Sequence, residues 1–411
     1  MAPKISPLAP ASPPDLPPVG GVRLAALASG VRYHGRTDLM LAEFDPGTSV
    51  AGVFTKSLTA AAPIEWCREA LSNGSARALI VNSGNANAFT GAAGVNAVSR
   101  TVDAASAMLG CGREQVFVSS TGVIGEPLPL EKIIEALPGL RDGLSPDGWS
   151  DAAHAIMTTD TFAKLATRSA SIDGRTVTLN GIAKGSGMIA PDMATMLAYV
   201  VTDAALPVPL MQAMLKSSVD RSFNAITVDS DTSTSDTVLL FATGKVPVDP
   251  PPDALRDRRL KGFRAALDDL CLDLAHQIVR DGEGASKFVA ITVTGAASAR
   301  AARRIGFAVA NSPLVKTAIA GGDPNWGRIV MAVGKAGEKA DRDKLRIKIG
   351  PTLITEGGMV RPDYDEAPVA DYMRGQEVTF DIDVGVGRGR ATVWTCDLTH
   401  GYVDINADYR S

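Results

Sequence analysis

The chain is poor in the residues that several kinds of chemistry require. Only four cysteines occur in 411 residues (Cys67, Cys111, Cys271, Cys396), and they lie far apart. That spacing excludes a dense disulfide framework and the paired cysteines of zinc sites, and fits reduced thiols. Only four histidines occur (His34, His154, His276, His400), and no two have the helical spacing of metalloprotease ligands. Gly-x-Ser-x-Gly is absent, which argues against a nucleophile elbow. Positive charge is not in excess: 41 Lys and Arg stand against 45 Asp and Glu, for a net charge of −4. A sequence-independent grip on nucleic acid is therefore not expected. No apolar run approaches bilayer-spanning length, so no membrane partner is expected. The N-terminus lacks the apolar core of a secretory signal, and the expected location is cytoplasmic.

What is present fits a globular protein with more than one lobe. Hydrophobic residues make up 45% of the chain, and its length exceeds what one core usually supports. Residues 1–20 are rich in proline and read as an extended, poorly packed arm. Beyond it, strand-like and helix-like patterns mix without a regular βαβ rhythm. Residues 78–82 read as a buried strand feeding a loop at 83–91. Residues 95–109 read as an Ala-rich helix and 116–119 as a strand. From Leu260 to Ile278, the apolar residues Leu260, Phe263, Leu267, Leu270, Leu274 and Ile278 share one helical face. Residues 287–294 read as a strand, followed by an Ala/Arg-rich helix near 296–308. Residues 378–384 and 390–395 alternate in polarity around Gly385-Val-Gly-Arg-Gly389 and suggest a hairpin. The expected fold class is α+β, with layered αββα-type packing and a second α/β lobe.

Chemistry concentrates around Thr195. The run Lys184-Gly-Ser-Gly-Met-Ile-Ala-Pro-Asp-Met-Ala194-Thr195 places one lysine in a glycine-bearing loop ahead of a small residue and a threonine. A cut between Ala194 and Thr195 would leave hydroxyl and free amine on one residue. An α-amine titrates near pH about 7.7–8.0 and can serve as base for its own hydroxyl. The plainer alternative is a β-former opening a buried strand. Ser120-Thr121-Gly122 offers a hydroxyl and a backbone N–H to a developing oxyanion, or is simply a turn. Lys184, Glu283 and Thr158 are clamp candidates for a substrate with both carboxylate and ammonium groups. Each is also compatible with an ordinary loop residue. Gly321-Gly-Asp-Pro-Asn-Trp-Gly-Arg328 lacks the Gly-Lys-Ser/Thr end of a phosphate loop.

Taken in order, these motifs resemble the ornithine acetyltransferase (glutamate N-acetyltransferase) family of the cyclic arginine pathway. The resemblance rests on Val81-Asn-Ser-Gly-Asn-Ala-Asn-Ala88, Ser120-Thr-Gly-Val-Ile-Gly125, Met157-Thr-Thr-Asp-Thr161 and Lys184-Gly-Ser-Gly-Met-Ile-Ala-Pro191. It also rests on Met193-Ala-Thr-Met-Leu197, Ser222-Phe-Asn-Ala-Ile-Thr-Val-Asp229, Asp231-Thr-Ser-Thr234, Gly322-Asp-Pro-Asn-Trp-Gly-Arg328 and Tyr402-Val-Asp-Ile-Asn-Ala-Asp-Tyr409. It covers nearly the whole chain beyond the arm.

The resemblance implies self-cleavage between Ala194 and Thr195, into an α segment (21–194 after the arm) and a β segment (195–411) that form one catalytic unit, usually α2β2. It implies Thr195 as nucleophile and Thr121 and Gly122 as oxyanion stabilisers. Substrate binding falls to Thr158, Lys184, Thr195, Glu283, Asn406 and Ser411. The implied reaction moves acetyl from N-acetylornithine to glutamate through an acetyl-threonine ester, with no metal or bound cofactor. Acetyl-CoA is left open as a second donor. The family commonly has Asn at the position of Asp192, and Gly and Asn at those of Ser230 and Ser235. Two other readings are an N-terminal-nucleophile aminopeptidase or amidase, and a non-catalytic amino-acid-binding protein.

Overall fold

Two sheets stacked face to face, with helices outside them, make up the first part of the computed structural model, which describes residues 4–190 and 196–407. One sheet has four strands in the order Val22–Leu27, Leu39–Phe44, Ala78–Asn85, Val116–Val123. The other has five, in the order Ser49–Phe54, Thr237–Val246, Leu197–Ala204, Arg175–Lys184, Lys164–Ile172. The period-2 pattern of the central strands explains the stacking. In strand Leu197–Ala204, Leu197, Tyr199 and Val201 face the four-stranded sheet. Ala198 and Val200 face the opposite way, toward helices Val208–Arg221 and Lys261–Arg280. The rings of Phe44 and Phe241 stack across the sheets at 4.3 Å. Helices Gly91–Leu109 and Leu130–Asp142 lie in the outer layer of the first sheet, which completes an αββα arrangement.

The amphipathic helix expected from Leu260 onward is Lys261–Arg280, with Leu260 just before it, and all six expected apolar positions are buried. His276, on the same helix, packs against the rings of Phe288 and Trp394, and burial pushes its imidazole down to about 4. A second lobe follows. It is a six-stranded sheet in the order Met359–Val360, Thr352–Glu356, Arg346–Ile349, Glu377–Asp383, Phe288–Ala296, Gly389–Cys396. It has its own apolar core with helix Ala299–Ala310.

Three local expectations change. The expected hairpin is not one: strand Phe288–Ala296 lies between its two arms, parallel to Glu377–Asp383 and antiparallel to Gly389–Cys396. The connecting residues arch over the end of that middle strand, where Val386 and Gly387 N–H groups donate to the Gly295 carbonyl at 2.7 and 2.6 Å. Alternating polarity marks a strand with one buried face, and any neighbour on either edge satisfies it. The predicted loop at 83–91 starts late, because strand Ala78–Asn85 continues through Ser83 and Gly84. The arm has no regular structure but is packed: Leu8, Leu16 and Val19 are buried. Ser6 donates from its backbone N–H to Thr161 Oγ1 at 2.9 Å and from its hydroxyl to the Arg280 carbonyl at 2.6 Å. Apolar residues spaced between prolines suffice to hold an extended segment down.

Strands on either side of the expected cleavage point interleave in one sheet. Arg175–Lys184 pairs with Leu197–Ala204, and Ser49–Phe54 pairs with Thr237–Val246. No helix among the described residues is long and apolar enough to cross a membrane.

Candidate active site

The ends of strands from both stacked sheets converge on one cavity of about 270 Å3. Its wall includes Thr121, Gly122, Thr158, Lys184, Glu283 and Asn406. Every sequence-predicted site residue that the structure describes is among them. Ala194, Thr195 and Ser411 lie outside the described residues.

Thr121 and Gly122 come from strand Val116–Val123, which runs beside Ala78–Asn85 with a register shift at Gly84 and Asn85. Gly122 has φ +131°, and a Cβ there would sit 2.3 Å from the Gly84 carbonyl carbon. Only glycine permits that backbone approach. Lys184 ends strand Arg175–Lys184 and is buried, with Nζ 3.5 Å from Thr121 Oγ1 and 3.9 Å from Asp160 Oδ2. Burial pulls its ammonium below the usual lysine range, against the pull of Asp160.

The cation is embedded in a charge-balanced group that the sequence reading did not single out. Lys164, with a fully buried side chain, donates to Asp160 Oδ1 at 2.7 Å and to Asp281 Oδ2 at 2.6 Å. Asp160 also accepts the N–H groups of Gly185 (2.7 Å) and Thr158 (2.9 Å), the chain beside the lysine and the expected clamp threonine. Burial alone would raise Asp160, but Lys164 and Lys184 hold its carboxyl well below the usual range. Asp281 accepts from the Thr161 N–H at 2.8 Å and from its hydroxyl, so the group reaches the arm through Ser6. Arg36 donates to the Met157 and Thr158 carbonyls at 2.6 and 3.2 Å. The signal for Asp160 was in the quoted motif Met157-Thr-Thr-Asp-Thr161, and Asp281 lies two residues before the clamp candidate Glu283. Nothing local identified Lys164, which sits inside a strand.

Glu283 faces the cavity from the turn after helix Lys261–Arg280. Burial raises its carboxyl, while Asn406 Nδ2 donates to Oε2 at 2.6 Å. Asn406 belongs to the terminal helix His400–Asn406, capped by Thr399. The Thr399 hydroxyl also donates to the Gly284 carbonyl at 2.6 Å. Gly284 has φ +71°, and a Cβ there would come within 2.5 Å of the Tyr402 nitrogen. The helix docks because residue 284 has no side chain.

A second, larger cavity of about 910 Å3 shares Val123, Thr158, Thr159 and Glu283 with the first. Lys4 of the arm, Arg32 and Arg36 are on its wall, with Asp404 of the terminal helix. Among the described residues no cluster of His, Cys, Asp and Glu is suited to a metal.

Together these features define an αββα-layered protein with a small, half-open site. A buried cation and a buried acid line it, beside a hydroxyl and a glycine at a strand end. Residues 23–411 match the ArgJ family, and the chain belongs to it. It is 60% identical over 398 residues to the arginine biosynthesis bifunctional protein ArgJ of Gluconobacter oxydans, covering 97% of this chain and 94% of that one. It is 58% identical over 410 residues to the protein of the same name from Ruegeria pomeroyi, covering 99% of each. Among solved structures, the arginine biosynthesis bifunctional protein argJ of Bacillus halodurans is 37% identical, with a TM-score of 0.47. That match covers 51% of this chain and 97% of the other.

Proposed function

We propose that the chain is an acyltransferase of arginine biosynthesis. It moves the acetyl group of N-acetylornithine to glutamate, giving ornithine and N-acetylglutamate. The observation that carries this reading is convergence. Thr121, Gly122, Thr158, Lys184, Glu283 and Asn406 come from separate parts of the sequence and line one cavity. The names of the curated relatives point the same way.

Under this reading the chain cuts itself between Ala194 and Thr195, and both segments stay together because their strands share a sheet. Lys184 binds the substrate carboxylate, with Thr158 beside it, and Glu283, steadied by Asn406, binds the ammonium. Ser411 completes the binding set. Thr195 Oγ attacks the acetyl carbonyl while its own amine takes the proton. The Thr121 hydroxyl and Gly122 N–H stabilise the oxyanion. Ornithine leaves with that proton, glutamate takes its place, and its amine accepts the acetyl group. One site serving both amino acids requires ping-pong kinetics.

Acetyl-CoA is a second donor in this proposal. The larger cavity, with Lys4, Arg32 and Arg36 on its wall, shares wall residues with the smaller one and has room for a longer, anionic donor. The assembly is α2β2 and the location cytoplasmic. No metal or bound cofactor takes part.

Thr195→Ala should yield an uncut chain with activity reduced by at least about 10^4-fold, the scale of nucleophile loss. Mass spectrometry of the 195–411 segment after mixing with N-acetylornithine should find one acetyl group on Thr195, and acetyl-CoA alone should give the same adduct. A two-band gel from the Thr195→Ala variant would sink the reading.

A further inference from the structure

The proline-rich arm forms part of the wall of the larger cavity. Lys4, Ile5, Ser6 and Pro7 line it, together with Arg32 and Arg36 from the loop after strand Val22–Leu27. Ser6 is the anchor of this stretch. Besides its bonds to Thr161 and Arg280, its hydroxyl accepts from the Leu8 N–H at 3.2 Å and its carbonyl from the Ala9 N–H at 3.1 Å. Gln376 Nε2, from the second lobe, donates to the Pro7 carbonyl at 3.2 Å. Leu8 is buried in the core that includes helix Lys261–Arg280. Lys4 and Ile5 add nothing to that core, for Lys4 is exposed and Ile5 is 62% exposed. What they have beside them is the cavity.

The cavity wall mixes cations with apolar groups. Arg32 is fixed by Glu126 at 2.7 Å, and Arg36 by the Met157 and Thr158 carbonyls. Lys4 makes no ion pair among the described residues. Ile5, Pro7 and Ile405 of the terminal helix supply apolar surface. Two acids face these cations, Asp404 and Glu283, and Glu283 lies on the stretch shared with the smaller cavity. An acetyl thioester on a long carrier has a matching make-up, a partly apolar arm ending in phosphates. A cavity of about 270 Å3 that already receives an amino acid leaves such a carrier only the adjoining space of about 910 Å3.

Building on the reading of acetyl-CoA as a second donor, we propose that residues 4–7 of the arm are a specificity element for that donor. The carrier lies against Ile5 and Pro7, and Lys4 meets its phosphates. N-acetylornithine, held in the smaller cavity, does not reach them. Ser6 is a positioning residue that sets where this wall stands. Its partner Thr161 donates to Asp281, which accepts from Lys164, and Lys164 also donates to Asp160, the acceptor of the Thr158 N–H. One chain of hydrogen bonds therefore runs from the arm to the stretch of wall that both cavities share.

Steady-state glutamate acetylation by the full protein, with acetyl-CoA and with N-acetylornithine as alternative donors, tests this. Deleting residues 2–5 leaves the Ser6 and Leu8 anchors in place. The ratio of kcat/KM for acetyl-CoA to that for N-acetylornithine should fall about 10-fold or more, through KM rather than kcat, because the lost contacts bind ground state and transition state alike. Lys4→Glu should raise KM for acetyl-CoA about 10-fold, by setting like charge against the phosphates. An arm with a structural role only would lower both donors together or neither, and a donor ratio unchanged by the deletion overturns the proposal. If the deletion also lowers the melting temperature, Lys4→Glu decides: a raised KM for acetyl-CoA supports the proposal, and an unchanged one overturns it. A wild-type protein that uses N-acetylornithine but not acetyl-CoA would instead remove the second-donor reading, and the arm's role with it.

Discussion

Four buried lysines among the described residues divide between two regions, Lys164 and Lys184 at the cavity, Lys287 and Lys316 in the six-stranded lobe. Their partners differ in kind. In the lobe, Lys316 Nζ donates to Thr395 Oγ1 at 2.9 Å and to the Cys396 carbonyl, fastening helix Pro313–Gly321 to strand Gly389–Cys396. Lys287 Nζ donates to the Ile319 and Met373 carbonyls at 2.8 and 2.5 Å, joining that helix to helix Glu366–Met373. These cations rest on neutral acceptors and hold chain segments together. At the cavity, Lys164 and Lys184 face Asp160 and Asp281. Two positive and two negative charges balance there, with Lys184 at the cavity edge of the group. An incoming carboxylate can draw on Lys184, whose partner Asp160 is shared with Lys164. The lobe lysines have no such reserve. Buried positive charge serves cohesion in the lobe, and in the proposed function it serves recognition at the cavity.

Substitution should separate these roles. The largest effect is expected at the cavity. Lys184→Gln should lower kcat/KM for N-acetylornithine by about 10^2- to 10^3-fold, on the scale of losing one partner of a buried charge contact. Its melting temperature should change little, because the burial that already disfavours the Lys184 ammonium offsets the attraction lost by Asp160, which keeps Lys164. Lys316→Met should do the reverse. It strands a buried carbonyl and hydroxyl and should cost about 2 kcal/mol of stability, with kcat/KM per folded molecule unchanged. Thermal melts and steady-state kinetics on both variants check the pair. A lobe variant that lost activity without losing stability would erase the distinction.

The sequence reached far into the cavity but less far into its support. Thr121, Gly122, Lys184 and Glu283 were candidates because each stands at a strand end or in a glycine-bearing loop with chemistry suited to a small polar substrate, and the family resemblance added Asn406. Layered αββα packing was legible from strand and helix patterns without βαβ rhythm. Lys164 was not, because a lysine in a strand usually faces solvent, and only the fold brings Asp160 and Asp281 to its ammonium from 4 and 117 residues away. The middle strand inserted into the supposed hairpin was hidden for a related reason. Alternation reports which face of a strand is buried but not which strand lies beside it. The arm misled because proline content predicts an extended backbone correctly and says nothing about the leucines between the prolines.

The smallest expected effect tests the coupling within the charged group. Burial lowers the Lys184 ammonium and Asp160 raises it. Asp160→Asn leaves the burial and removes the supporting charge, so the Lys184 pKa should fall further. In the proposed function the charged lysine binds the substrate carboxylate, so KM rises once pH climbs through that pKa. The alkaline rise in KM should therefore begin at lower pH in Asp160→Asn than in the wild type, by about one pH unit for loss of an opposite charge at this range. Asparagine can still accept one of the Thr158 and Gly185 N–H bonds, so kcat at lower pH should change less than KM at higher pH. KM profiles for N-acetylornithine from pH 6 to 10 read the shift. A profile unchanged in Asp160→Asn would mean that Lys184 is set by burial alone.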